Sequence, residues 1–227
     1  METIKNALDS LKEFIWDIIG YFLPGAYLII LLAFSLGEAY LIHPKIFANT
    51  EMMWPLFIIS SYLLGHVTYG LGQLKENLLG RWSYTRKKEK EVSLKPAFKT
   101  SKELLEKALI AKGVNQDLNN ASVRDVRSLI MSFAPETDQK VYTFTFRSDL
   151  SNQIGNISAL VGLLAILSSF ISRLQPRVFV VDRPHLLLYF CLLLSYIFVR
   201  QARNRFYSIS ISVPFSVYTA KELKSTP

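Results

Sequence analysis

Residues Trp54–Leu74, WPLFIISSYLLGHVTYGLGQL, run for 21 positions without a charged side chain. An α-helix needs roughly 20 apolar residues to cross about 30 Å of hydrocarbon, so the stretch is long enough to span a bilayer. It is not uniformly apolar. Ser61, Gly65, Thr68 and Gly72 fall on one helical stripe. Tyr62, His66, Tyr69 and Gln73 fall on the adjoining stripe, and Leu63, Leu64, Val67, Leu71 and Leu74 occupy the rest. In lipid the polar face must turn to protein or water. Small residues let a neighbouring backbone approach, and the hydroxyls, imidazole and amide can bond across an interface. Two expectations follow: a tight helix seam, within one chain or between copies, or a water-lined path or pocket near His66.

Three more apolar blocks complete the pattern: Ile18–Leu36, Ile154–Ile171 and Leu186–Val199. The last has only 14 residues, but Arg200 and Arg203 can snorkel from its end and let the helix run on. The expected fold is therefore all-α: an integral membrane four-helix bundle with a small helical cytoplasmic loop domain between spans 2 and 3. Residues 1–74 hold an amphipathic start and spans at about 18–36 and 54–74. Residues 75–147 form the basic loop, 148–203 the second hairpin (spans about 150–172 and 184–203), and 204–227 a tail. The first block is not read as a cleaved signal peptide, because both signs of charge precede it and another span follows.

Charge sets the orientation. Of 26 Lys and Arg, 22 lie before the first span, between Lys75 and Arg147, or after Val199; 4 lie in the other two connections. The positive-inside rule puts both termini and the central loop in the cytoplasm.

Residues 2–16 pattern as an amphipathic helix, with Ile4, Leu8, Leu11 and Ile15 on one side. It either lies in the membrane interface or lengthens the first span. Pro24-Gly25 predicts a kink or a junction there. Residues 37–53 read as a short outer connection, with Trp54 at the outer interface.

In the loop, Arg81–Glu91 is expected to extend the second span as a charged helix. Thr100 and Glu103 make a capping box for a helix over about 101–112, ended by Gly113. Ser122 and Asp125 start another, over about 123–134, stopped by Pro135. Thr137 or Asp138 caps a third that runs into the third span. KVYTFTF (140–146) alternates like a strand, but no partner strand lies nearby, so helix is preferred. RVFVVD (177–182) is extended by composition. The tail after Arg205 also alternates like a strand, contains Pro214, and is expected to pack on the loop.

Asp149, Asn152 and Asn156 make a polar stripe at the start of the third span, beside the small residues Gly155, Ala159 and Gly162. They are expected to pair with the end of span 2, or to ring a pore mouth in an oligomer. Arg86, Lys87, Lys88 and Lys90 suit topology, anionic lipid headgroups or a cytoplasmic protein partner. Glu89 and Glu91 interrupt that run, and no RNA-binding module or Walker loop is present, so no specific nucleic acid is expected.

No HExxH, GxSxG, CxxC pair or glycine-rich phosphate loop occurs, and no enzyme activity is expected. One cysteine, Cys191, and three separated histidines predict neither a disulfide within the chain nor a zinc site, and no cofactor is expected.

Leu23-Pro24-Gly25 near the head of span 1, SYLLGHVTYGLG (61–72) in span 2 and FTFRSDLSNQIGN (144–156) leading into span 3 resemble small four-span bacterial membrane proteins of anti-phage systems. The membrane subunit of Kiwa and the transmembrane effectors of nucleotide-signalling defences are examples. The resemblance implies a bacterial inner-membrane sensor or membrane-perturbing effector; the small and polar stripes and the basic loop lead to the expectation that it oligomerises through spans 2 and 3 and docks a cytoplasmic partner. The other expectations are a stand-alone channel or small-solute transporter, and a purely structural accessory subunit.

Overall fold

The computed structural model describes residues 2–36, 50–114, 118, 120–171 and 178–225. Seven α-helices occur among them, with no strand beyond an isolated bridge: α1 (Glu2–Ser35), α2 (Thr50–Leu79), α3 (Tyr84–Ser93), α4 (Pro96–Ala111), α5 (Val123–Phe133), α6 (Asp138–Ile171) and α7 (Arg183–Ser225). The expected outer connection at 37–49 lies outside the described residues. Three helices are long and apolar enough to cross a membrane, over Ile18–Ser35, Lys140–Phe170 and Arg183–Lys224. The 30-residue α2 has the length, but its serines, glycines, histidine and glutamine dilute its hydropathy.

The chain divides into two compact units. The first comprises Met1–Lys75 and Asp149–Ala202; the second comprises Glu76–Ser148 and Arg203–Pro227.

In the first unit, Leu31 of α1, Ile157, Val161 and Ala165 of α6, and Tyr189 and Leu192 of α7 share one core with Phe179. The expected extended segment is seen at Phe179, which bridges Leu36, while the Val180 amide donates to the Ser35 carbonyl at 2.8 Å. The Tyr189 hydroxyl donates to the Val180 carbonyl at 2.9 Å and ties the same corner.

In the second unit, Val92, Phe98, Leu105, Leu109, Val126 and Ile130 bury against Ile211, Phe215 and Tyr218 of α7. Phe98 and Phe215 meet edge to face at 5.0 Å. The Ser122–Asp125 capping box is present, with Asp125 N 3.2 Å from Ser122 Oγ and Ser122 N 3.0 Å from Asp125 Oδ2. Gly113 takes φ +76°, a conformation that suits glycine after a helix. Residues 140–146 are helical within the 34-residue α6.

Three expectations are corrected. The second span does not continue through Arg81–Glu91: Gly80 at φ +49° turns the chain through a 3-10 turn, Gly80–Trp82, before α3 starts. The helix expected from Thr100 begins earlier, at Pro96, with Lys95 as N-cap in extended conformation. Proline at the first helical position is pre-set for the helix and needs no amide partner, so Pro96 outranks the Thr100–Glu103 pair. The tail is helix, not strand. Ile211, Phe215 and Tyr218 recur at helical spacing and are all buried, which overrides the shorter-range alternation. Its serines turn back on the helix, Ser210 Oγ to Tyr207 O at 2.9 Å and Ser212 Oγ to Ser208 O at 2.7 Å.

Candidate functional site

The two stripes of α2 have different fates. The small stripe is consumed within the chain. A Cβ on Gly25 of α1 would stand 1.7 Å from the Ser61 carbonyl oxygen, and one on Gly65 1.8 Å from that of Tyr21. The two backbones touch, and only glycine permits this. Further along, Thr68 is buried, its hydroxyl 2.8 Å from the Gly65 carbonyl and 3.0 Å from Gln153 Oε1 of α6. At Gly72 a Cβ would meet the Asn152 side-chain nitrogen at 3.1 Å. Ser61 is buried too, and its hydroxyl has no partner among the described residues.

Gln153 joins three helices. Its Oε1 accepts from Thr68 of α2, and its Nε2 donates to the Gly20 carbonyl of α1 at 3.3 Å. Gly20 lies four residues before Pro24, so its carbonyl is the one that Pro24, lacking an N–H, cannot serve. Nearby, Tyr27 of α1 and Ser158 of α6 share a hydrogen bond of 2.8 Å. Asn156 accepts from the Lys75 ammonium, while its own amide nitrogen is buried without a partner among the described residues. Asn152 and Asp149 are half-buried on the same helix. The pairing of Lys75 with Asn156 matches the expected link between the ends of spans 2 and 3.

The polar-aromatic stripe is used less. The His66 ring stacks on Tyr21 at 3.8 Å between centroids and meets Tyr62 edge-on at 4.7 Å. Tyr69 also meets Tyr21 edge-on, at 5.8 Å. Yet Tyr62, His66 and Gln73 are exposed on the first unit, and Tyr69 is half-buried.

The second unit has its own polar centre. Arg203, expected to snorkel, is 7% exposed, and its Nη2 lies 2.8 Å from Glu76 Oε1 and 3.2 Å from Thr85 Oγ1. Tyr84 and Tyr207 both lie against the guanidinium, at 5.6 and 6.0 Å. Ser83 and Thr85 also donate to Glu76. The Tyr207 hydroxyl donates to Glu89 at 2.8 Å; burial, with that bond to a carboxylate, pushes its ionisation well above the usual tyrosine range. Arg124 donates to the same carboxylate oxygen at 2.6 Å. Of the basic run, Lys88 pairs with Glu91 at 2.8 Å, and Lys87 lies over the Trp82 ring at 5.2 Å. Arg86 and Lys90 are exposed.

Among the described residues no three His, Cys, Asp or Glu side chains group as metal ligands. The sequence reading missed Gln153, Tyr21 and the Glu76–Arg203 pair. Pro24 signalled a carbonyl without an amide, but nothing local named its donor. Compared with protein-family models, curated proteins and solved structures, the chain matches none.

Proposed function

We propose that the chain is a four-span inner-membrane protein, both termini cytoplasmic, that works through its second unit as a docking module rather than as an enzyme or a single-chain channel. α2 is the added span in this reading. The observation that carries it is the consumption of the small stripe: Gly25 against Ser61 and Gly65 seals α1 to α2, and Gln153 closes the polar groups of α1, α2 and α6 on one another. Thr68, Gln153 and the Gly20 carbonyl, satisfied this way among three helices, suit packing in lipid better than a water path. The second unit brings its own core and surface charge, including Arg86 and Lys90, which suits a cytoplasmic protein partner. The setting suggested by the resemblance, antiviral defence as a sensor or membrane-perturbing effector, belongs to this proposal.

Single cysteines in a Cys191→Ser background test the topology. Val178→Cys should react with a membrane-impermeant maleimide in intact cells, whereas Ser128→Cys and Lys224→Cys should react only after lysis. Labelling of Ser128→Cys in intact cells would sink the orientation. Unchanged phage plating efficiency after deletion of the gene from its host would sink the defence reading.

A further inference from the structure

The stripe Tyr62, His66, Tyr69 and Gln73 covers 12 residues of helix, roughly 16 Å along the axis. Among the described residues, nothing hydrogen-bonds the hydroxyls of Tyr62 and Tyr69, the ring nitrogens of His66 or the amide of Gln73. Acyl chains offer such groups no partner, and exposed polar side chains in a span are costly unless protein or water covers them. His66 is also held in place, flat on Tyr21 and edge-on to Tyr62, while its ring remains exposed.

Gly70 adds an independent observation. It is exposed on this face, and a Cβ there would meet nothing within 4 Å. Gly25 and Gly65 are needed for contacts within the chain, whereas among the described residues nothing approaches the side-chain position of Gly70. An open glycine between His66 and Gln73 leaves room for another helix to cross at close range. At the Tyr62 end the stripe runs into a shallow apolar groove of about 270 Å³, lined by Ile18, Phe22, Ile58, Ile59, Tyr62 and Leu63.

We propose that this face binds a second copy of the chain, with the two α2 helices crossing at Gly70. The argument for a copy is self-complementarity. The stripe carries no charge, so two copies do not repel. Phenol, imidazole and carboxamide each donate and accept, so identical stripes satisfy one another about a two-fold axis. The groove beside Tyr62 receives apolar side chains of the partner helix. The proposal rests on the membrane reading above and moves the oligomer seam from the small stripe of α2 to its polar-aromatic one.

Native mass spectrometry of the full chain in nanodiscs tests it. The wild type should carry two copies, and His66→Leu combined with Gln73→Leu should carry one, with helix content unchanged. In native membranes, His66→Cys in a Cys191→Ser background should form an intermolecular disulfide on mild oxidation. Leu163→Cys, exposed on α6, should not. A monomeric wild type, a dimeric double variant, or equal crosslinking at both positions overturns the proposal. Loss of the chain from membranes on an alkaline wash would instead overturn the membrane reading beneath it.

Discussion

The Gln153 carboxamide of α6 donates to the Gly20 carbonyl of α1, the carbonyl that Pro24 deprives of its helical amide. A defect in one helix is thus repaired by a side chain from another. The same amide accepts from Thr68, so α1, α2 and α6 meet at one group.

Gln153→Leu should therefore cost about 1 kcal/mol or somewhat more, the range of interhelical hydrogen bonds in membranes. The cost should fall in a Pro24→Ala background, where residue 24 supplies its own amide to Gly20. A double-mutant cycle on unfolding in bicelles measures the difference. Equal cost in both backgrounds would separate Gln153 from the proline.

Gly65→Ala should be more damaging than its one methyl suggests. The new Cβ would stand 1.8 Å from the Tyr21 carbonyl oxygen, a backbone atom that cannot swing aside. Overpacking of this kind costs about 1–3 kcal/mol or forces the helices apart. Gly155→Ala is the comparison, because its nearest neighbour is the flexible Tyr196 side chain at 3.4 Å. Thermal midpoints in detergent should fall for the first and hold for the second.

Arg203→Leu should destabilise the second unit by about 3 kcal/mol, since it takes the guanidinium away from Glu76 in a largely dry site and leaves the carboxylate charge to neutral donors such as the Ser83 and Thr85 hydroxyls. Arg203→Lys should not restore the loss. An ammonium cannot reach Glu76 and Thr85 together while lying flat against Tyr84 and Tyr207. Hydrogen exchange of α3 amides in the full chain reads the effect; full protection in the lysine variant would contradict it.

Tyr207 predicts an alkaline weakness. Its ionisation is raised in the folded chain by burial and by its bond to Glu89. A group raised on folding contributes stability that is complete below its unfolded value, near 10, and is lost as pH rises toward the folded one. Denaturant midpoints should thus decline above about pH 10. Tyr207→Phe should flatten that decline while lowering the midpoint at neutral pH; an unchanged slope would remove Tyr207 as the cause.

Much of the fold was legible along the chain because its causes are local. Apolar run length exposed the candidate spans. Ser122 and Asp125 marked a helix start three residues apart, and α6 ran unbroken into the third apolar block as its caps implied. Local rules failed where two of them competed. Pro96 outranked Thr100 as a helix start, and Gly80 broke a charged run that otherwise favours helix. The tail showed period-two alternation and a helical Ile211–Phe215–Tyr218 spacing at once.

The α2 stripes show the division most sharply. From the sequence alone it follows that α2 has a small face and a polar-aromatic face, because 3.6 residues per turn sort the side chains whatever surrounds them. Which face is spent inside the chain depends on where α1 and α6 sit. Tertiary structure alone put Gly25 against Gly65, Gln153 between Thr68 and Gly20, and left His66 uncovered. Helical periodicity is a property of one segment, whereas a shared hydrogen bond or a backbone contact is a property of two.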